Sequence, residues 1–436
     1  MLILARTKQS GRRQAEPASN SRCNKDRPRG AGKCQGFRKP RLSEGTIRHI
    51  PISHLQPENS LKFVAPRAGK TGYLPALTGL RFVLATWVML HHLAGPGMML
   101  YSAVAALPGP LRFLAKGGYL AVQTFFLLSG FVLARGYARI RWDRSSLVRY
   151  FSARFARVYP AYILSLAIVG YFIARFLARP LVNPLSKASA LFDYAFLLQG
   201  WRPGGGVGWN TPAWSLSCEL FFYLWLPAIL PLIWRAGKWA LALIVAASFI
   251  APVVLAHLNV PPYWKPVYHF ADFTMGIAAA RIFATIEGRP DGKRAAARLY
   301  LPAIVVGAAL IAYPRVLDGT WLDLNSALRP LNALALIGLA YGGGFVAKAL
   351  STRAVEYLGE ASYSMYILHV PLLWWYGNGG LKRLYLPAQP AAVIYIVAVV
   401  AVAVLSFELV EKPASRWVRR WIDRRLARPE SLRAAA

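Results

Sequence analysis

Two basic residues in the first apolar stretch have the types and the spacing that proton-transfer chemistry needs. Arg81 and His92 lie eleven positions apart. At 100° per residue they share one helix face, separated by about 16 Å. An imidazole titrates nearest to neutral pH, so His92 suits a general base. The sequence leaves open that His92 is instead a buried hydrogen-bonding group, and it predicts a structural role for His91, about 100° around the helix.

A pair of arginines in a later stretch has the chemistry of a phosphate site. Arg154 and Arg157 stand three residues apart before Tyr159-Pro160, so they share a helix face. Guanidinium groups bind phosphate oxygens through two parallel hydrogen bonds. The simpler alternative is that both arginines anchor a helix at the cytoplasmic surface.

An acidic residue within an aromatic stretch is a third candidate. Glu219 follows Trp214-Ser215-Leu216-Ser217-Cys218 and lies roughly 10 Å inside the predicted outer end of its helix. A carboxylate at that depth is costly unless it is paired or used, which favours a functional role. His369, in a stretch rich in hydroxyl groups, is predicted to form a packing hydrogen bond, with a functional role left open.

These residues lie on apolar segments long enough to cross a bilayer. The chain has 436 residues, of which 56% are hydrophobic and only 16% charged, against about 25% charged in soluble proteins. The fold class is therefore all-α, a polytopic integral membrane protein with about ten transmembrane helices. The predicted spans are 73–100, 117–137, 155–177, 213–234, 239–258, 266–285, 299–315, 329–346, 358–377 and 389–411.

The distribution of positive charge sets the predicted orientation. With ten spans and a cytoplasmic N-terminus, the inside segments 138–157, 235–238, 286–298, 347–357 and 410–436 hold 22 Lys and Arg, and the five outside loops hold 8. This bias follows the positive-inside rule. It also accounts for the net charge of +34. A nucleic-acid partner is not predicted, because proteins that bind single strands stack bases on aromatic side chains and the N-terminal tail has only Phe37 and Phe63. Both termini are therefore predicted to be cytoplasmic, in a multi-pass protein of the inner cell membrane.

Composition also predicts the domain boundaries. Residues 1–70 carry 16 Lys and Arg against 4 Asp and Glu, which is typical of a disordered basic cytoplasmic tail. The membrane domain is predicted over 71–413, and a basic cytoplasmic C-terminal tail over 414–436. The three cysteines lack the spacing of a zinc site, so no metal is predicted.

The order of five motifs resembles the acyltransferase-3 family of integral membrane acyltransferases. The resemblance runs from about Tyr73 to Pro413. It depends on Arg81 with His92, on Phe-Phe-x-x-Ser-Gly-Phe at 125–131, on Arg154 with Arg157, on Trp-Ser-Leu-Ser-x-Glu at 214–219, and on Ser-Tyr-Ser-x-Tyr-x-x-His-x-Pro at 362–371. Each motif is short, and their order makes the resemblance specific.

The resemblance implies roles for individual residues. His92 matches the catalytic histidine of the family and Arg81 its partner arginine. Arg154 and Arg157 match the pair linked to the acyl donor, and Glu219 matches the acidic residue of its motif. The chain departs from many members at Phe82, where they have Gly, and at Ala121-Val122-Gln123, where they have Gly-Val-Asp. These departures suggest a subfamily with a different acceptor.

The predicted function is membrane O-acyl transfer, with His92, Arg81 and Glu219 as catalytic residues. The donor is acyl-CoA, most simply acetyl-CoA, bound at Arg154 and Arg157. The acceptor is a hydroxyl of an extracytoplasmic carbohydrate or glycosylated small molecule. No permanently bound cofactor is predicted, and the expected partners are these substrates and membrane lipids. The alternative is a transporter or flippase that uses Arg81, His92 and Glu219 as a proton and substrate path, although the sequence shows no internal symmetry of the kind such proteins have.

Overall fold

The fold, examined in a computed structural model, is built from α-helices. The structure describes residues 74–180, 182–203, 208–288, 291–318, 320, 322–377 and 386–427, and within these ranges it contains no strand. The helices are α1 Pro75–Leu93, α2 Tyr101–Ala105, α3 Gly109–Lys116, α4 Ala121–Tyr137, α5 Arg144–Ile168, α6 Gly170–Leu177, α7 Pro184–Ala195, α8 Trp214–Arg235, α9 Lys238–His257, α10 Lys265–Ile286, α11 Gly292–Ala312, α12 Leu324–Ala340, α13 Gly344–Leu350, α14 Arg353–Glu360, α15 Ser362–Gly377, α16 Ala388–Ser406 and α17 Lys412–Ala427.

The described helices confirm a multi-pass membrane protein. Five are long and apolar enough to cross a membrane, and up to seven spans result if α5 with α6 and α12 with α13 each count as one bent span. The remaining three predicted spans fall on α10, α11 and α15. The count of about ten therefore stays a prediction, and the predicted tail 1–70 lies outside the described residues.

The first helix ends earlier than the predicted span 73–100. It stops at Leu93, before Gly95-Pro96-Gly97, where Gly97 has φ +75°. That left-handed conformation is easily reached only by glycine. Just before it, Pro96 has no N–H and would clash with the preceding turn, so α1 cannot continue through this segment. His92 consequently lies in the last turn of α1, and an unbroken helix joins it to Arg81.

Close contact between α4 and α10 holds the centre of the bundle together. A Cβ at Gly130 would overlap the carbonyl oxygen of Phe273, and a Cβ at Gly276 would overlap that of Leu127. Small residues allow membrane helices to approach this closely. The glycine of the Phe-Phe-x-x-Ser-Gly-Phe motif therefore lies at the contact between these two helices.

The helix at the C-terminal end is longer than predicted. The predicted span 389–411 stops at Glu411, but a π-helical turn over Phe407–Glu411 joins α16 directly to α17. Pro413 has no N–H to donate to the preceding turn, and it lies just after the π-helical turn, where the α-helical hydrogen-bond ladder is already interrupted. The π-helical turn places Glu411 among buried residues.

Candidate functional site

The two ends of α1 carry different polar groups. Near its start, Arg81 lies within electrostatic range of Arg157, Glu219 and Tyr223. Arg154 lies within range of Glu219 and Tyr223 as well. We call these five residues the arginine cluster. They come from α1, α5 and α8, so three helices that are distant in sequence bring together most of the predicted site.

Arg81 and Arg154 keep unused hydrogen-bond donors. The Nε atom of each is buried without a hydrogen-bond partner in the described part of the chain. The Arg154 guanidinium lies 5.9 Å from the ring centre of Tyr137 and 5.8 Å from that of Tyr223. Aromatic faces attract a cation while leaving its N–H groups free. The two residues therefore provide positive charge and donors for an anionic ligand.

Arg157 differs from Arg154, the other arginine of the predicted pair, because its guanidinium already forms an ion pair. Its Nη1 donates to Glu411 at 2.6 Å, and the carboxyl side chain of Glu411 is only 2% exposed. Ser364 also donates to Glu411, at 2.5 Å, and contacts Ser406. A buried carboxylate requires such partners. Arg157 is thus tied to the π-helical turn, and Arg154 has the freer guanidinium.

Glu219 lies at the arginine end of α1 and bonds to the cluster. Its carboxylate accepts a hydrogen bond of 2.7 Å from Tyr223, and it is a charge neighbour of both Arg81 and Arg154. The sequence predicts Glu219 as a catalytic residue together with His92. The contacts place it instead with the unpaired arginines, where one carboxylate partly balances two cations.

The other end of α1 borders a cavity of about 500 Å³. We call it the histidine cavity. It is lined by residues from α1, α4, α8, α9, α10, α12 and α15 and the turns beside them, namely Val88, His91, His92, Tyr119, Val122, Gln123, Thr211, Pro212, Trp214, Pro252, Ala256, Pro262, Lys265, Tyr268, His269, Asp323, Asn325, Arg329 and Tyr366. Its volume is within the range of small-molecule sites.

Contacts with its neighbours fix the tautomer of His92. Its Nδ1 lies 3.0 Å from the carbonyl oxygen of Val88, which only accepts, so Nδ1 carries the proton. The same N–H faces Nε2 of His369 at 3.3 Å. His369 in turn donates its Nδ1–H to the carbonyl of Tyr366, at 2.6 Å, which leaves its Nε2 as an acceptor. His92 therefore keeps a lone pair on Nε2, the nitrogen that a general base uses.

His91 also lines the histidine cavity, but through a different set of contacts. Its Nδ1 donates to the carbonyl oxygen of Lys116 at 2.6 Å, and its ring packs against Tyr119 at 5.6 Å. The hydrogen bond ties the end of α1 to the end of α3. This contact agrees with a structural role for His91, although the residue borders the cavity as well.

The structure reveals a polar cluster that the sequence analysis missed. Asp272 on α10 accepts hydrogen bonds from Arg329 at 2.5 Å and from Gln123 at 3.0 Å. Its second oxygen accepts from Nδ1 of His269 at 2.8 Å. The signal was available, because ionisable residues within predicted spans are usually functional, and His269, Asp272 and Arg329 all lie within them.

Half-buried arginines near one end of α1, and a histidine beside a cavity at the other end, are carried by the helices of an integral membrane protein. Comparison with known proteins gives its class. The model of acyltransferase family 3, described as an acyltransferase domain, matches residues 74–408. The chain therefore belongs to this family, and it is a multi-pass membrane O-acyltransferase.

Named relatives cover most of the chain. It is 29% identical over 377 residues to the acyltransferase MdmB of Streptomyces mycarofaciens, covering 80% of this chain and 93% of the relative. It is 27% identical over 344 residues to nodulation protein 10 of Rhizobium leguminosarum, covering 73% and 86%. With the peptidoglycan O-acetyltransferase OatA of Listeria monocytogenes it shares 22% identity over 369 residues, covering 78% of this chain and 56% of that protein. No solved structure matches the chain significantly.

Proposed function

We propose that the protein transfers an acyl group, most simply acetyl, from cytoplasmic acyl-CoA to a hydroxyl of an extracytoplasmic carbohydrate. The observation that carries this proposal is the fixed orientation of the His92 ring beside the histidine cavity. Its Nδ1–H is committed to Val88 and His369, and its ring borders a cavity large enough for a sugar. A fixed imidazole with a free Nε2 at a cavity wall is the arrangement that deprotonates a hydroxyl group.

The donor is proposed to bind at the arginine cluster. Arg81 and Arg154 have unused N–H groups and positive charge, which suit the phosphates of coenzyme A. Arg157 supports this site through its pairing with Glu411. Eleven residues of α1 separate Arg81 from His92, a rise of about 16 Å. The pantetheine arm of coenzyme A is a long, flexible chain that suits this separation, so its thioester reaches His92 while its phosphates stay with the arginines.

The transfer then needs one base and a good leaving group. The acceptor hydroxyl donates its proton to Nε2 of His92 as its oxygen attacks the thioester carbonyl carbon. The new C–O bond forms, the C–S bond breaks, and the coenzyme A thiolate takes the proton from His92. This is direct transfer. An intermediate acyl-His92 would need the acceptor to lose its proton to a second base.

Other residues have supporting roles in this proposal. Glu219 balances the charge of Arg81 and Arg154 and positions them through Tyr223, whereas His369 holds the ring of His92. The Listeria relative is named for acetyl transfer to peptidoglycan, which supports a carbohydrate acceptor here. The charge bias of 22 against 8 Lys and Arg supports placing both termini in the cytoplasm and the protein in the inner membrane.

Reconstitution provides the direct test. The purified full-length chain in sealed vesicles receives acetyl-CoA labelled in the acetyl group on one face and a panel of soluble glycosides on the other. We expect labelled O-acetyl glycoside to appear, with equimolar free coenzyme A. Transport of intact glycoside without ester formation would overturn the proposal in favour of the transporter alternative. Label that appears only when both substrates share one face would overturn the cross-membrane arrangement.

A further inference from the structure

Gln123, His269, Asp272 and Arg329 form a buried cluster beside the histidine cavity that the proposed transfer step does not use. We call it the Gln123 cluster. It joins α4, α10 and α12, and three of its members line the cavity. Arg329 lies 2.5 Å from Asp272 and balances its charge. Gln123 and His269 can therefore face the cavity as uncharged groups.

The orientation of the Gln123 amide is fixed by its partners. Its Nε2 lies 3.0 Å from Asp272 Oδ1 and 2.7 Å from the carbonyl oxygen of Asn325. Both of those atoms only accept, so the amide nitrogen must face them and both N–H groups are used. The Oε1 atom is buried and has no hydrogen-bond partner among the described residues. A buried acceptor without a partner is costly, which indicates that a ligand supplies the missing donor.

His269 presents a second acceptor to the same cavity. Its Nδ1–H donates to Asp272 Oδ2 at 2.8 Å, which leaves a lone pair on Nε2 of the neutral ring. The ring packs 4.9 Å from Phe126 and 5.5 Å from Trp214, measured between centroids. These aromatic neighbours and Asp272 hold the imidazole in one orientation.

We infer that Gln123 and His269 form the acceptor subsite and bind two hydroxyl groups of an uncharged sugar. Two lone-pair acceptors attract O–H donors and disfavour a carboxylate or phosphate at the same point. The inference rests on the proposed function in taking the histidine cavity as the acceptor side. It adds that the acceptor is a neutral, hydroxyl-rich ring, and that Gln123 and His269 determine specificity.

The test measures binding without turnover. Purified full-length protein in detergent is titrated with a panel of methyl glycosides, their singly deoxygenated analogues and the matching uronic acids, using saturation-transfer NMR in the absence of acyl-CoA. For the wild type, we expect removal of one particular hydroxyl to weaken binding on the order of tenfold. In Gln123→Leu the same deoxygenation is expected to have no effect. A different hydroxyl should show this coupling with His269→Leu.

Gln199→Leu is the matched control, because Gln199 is also a fully buried amide, bonded to Tyr162 and Ser217 away from the cavity lining. It should keep the wild-type pattern. The inference is overturned if every deoxy analogue keeps the same affinity ratio in the wild type and Gln123→Leu, if uronic acids bind better than neutral glycosides, or if no glycoside binds. Coupled binding without acyl transfer would instead count against the proposed function alone, and acyl transfer without coupling would count against this subsite alone.

Discussion

The arginine cluster and the histidine cavity lie at opposite ends of one stretch of α1, yet they differ in charge balance and in the hydrogen-bonding groups that they leave unused. The arginine cluster has more cations than anions, and two of its guanidinium groups keep unused donors. In the histidine cavity, Arg329 is paired with Asp272 and Lys265 lies over the ring of Trp214, while Gln123, His269 and His92 keep lone pairs. We propose that the first region binds an anion and the second binds hydroxyl groups.

Under the proposed function, this difference explains how α1 can contribute to the binding of two substrates. A coenzyme A donor carries its charge on phosphates far from the thioester, and a sugar acceptor carries donors close to the reacting oxygen. Under the proposed function, the positive charge at one end of α1 and the lone-pair acceptors at the other separate donor binding from acceptor binding along the helix. The comparison predicts that substitutions at each end affect different kinetic constants.

The largest effect is expected at His92, where the two substrates meet. Because a positioned general base contributes about 10²- to 10⁴-fold to a rate, His92→Ala should lower kcat by that factor without changing the KM for acetyl-CoA. The measurement is steady-state O-acetylation by purified protein. His257→Ala, in an exposed turn of α9, is the control. A His92→Ala protein with near-normal turnover would refute the mechanism.

The next largest effect is expected in the arginine cluster. Arg154→Ala should raise the KM for acetyl-CoA by about 10- to 100-fold, because it removes hydrogen bonds to a charged group. Acetyl-pantetheine carries no phosphate group, so its KM should hardly change. Equal effects on both donors would show that Arg154 does not bind phosphate.

Lysine substitutions at Arg154 and Arg157 test whether these two residues of α5 differ in function. Lysine keeps the charge but loses the bidentate geometry, so Arg154→Lys is expected to raise the donor KM. The sequence predicts the same for Arg157→Lys, yet Arg157 is paired with the buried Glu411. We therefore expect the larger donor effect at Arg154 and the larger loss of thermal stability at Arg157, with acceptor preference unchanged in both.

A smaller effect is expected at His369, which contacts His92 but does not itself line the cavity. His369→Leu removes the second of the two acceptors for the His92 Nδ1–H, the first being the Val88 carbonyl, and should lower kcat about tenfold, similar to the loss of other orienting partners. His369→Gln offers an amide oxygen at a comparable distance and should recover part of that rate. Equal losses in both variants would indicate that His369 serves packing only.

The contact between α4 and α10 offers a test on stability. Gly130→Ala would force a methyl group against the Phe273 carbonyl, and overpacking typically costs about 1–3 kcal/mol. It should lower the melting temperature in detergent and weaken acceptor binding more than donor binding, since α4 and α10 form the Gln123 cluster. Gly136→Ala is the control on the same helix, because nothing lies within 4 Å of its Cβ position. The comparison fails if both substitutions behave alike.

The smallest effect is expected from the predicted N-terminal tail. A chain that begins near Lys62 keeps the first span and its flanking Arg67 and Lys70, so it should insert in the same orientation and retain activity. The tail is polar and basic, and each Lys or Arg close to the surface favours the anionic leaflet by about 1 kcal/mol. Reduced turnover in a correctly inserted protein would assign the tail to the active machinery, and inverted insertion would assign it to topology.

Much of the site follows from local pattern. Hydropathy predicts the membrane helices, and helical periodicity predicts that Arg81 and His92 share one face of α1. The motif order predicts the family, which the comparison confirms. The departure at Gln123, where many members have Asp, predicts a changed acceptor site, and the structure places that residue in the wall of the cavity. Such features depend on neighbouring residues, so the sequence by itself determined them.

The pairing of the polar groups was decided by the tertiary structure. His92 meets His369 across 277 positions, Arg157 meets Glu411 across 254, and Gln123 meets Asp272 across 149. No local period encodes contacts between such distant residues, because they depend on how helices pack and where each one ends. Pro96 stops α1 from continuing beyond His92, and Gly130 allows α4 to pack closely on α10. Packing of this kind left Arg154 unpaired, paired Arg157, and placed a free lone pair on His92 at the edge of the cavity.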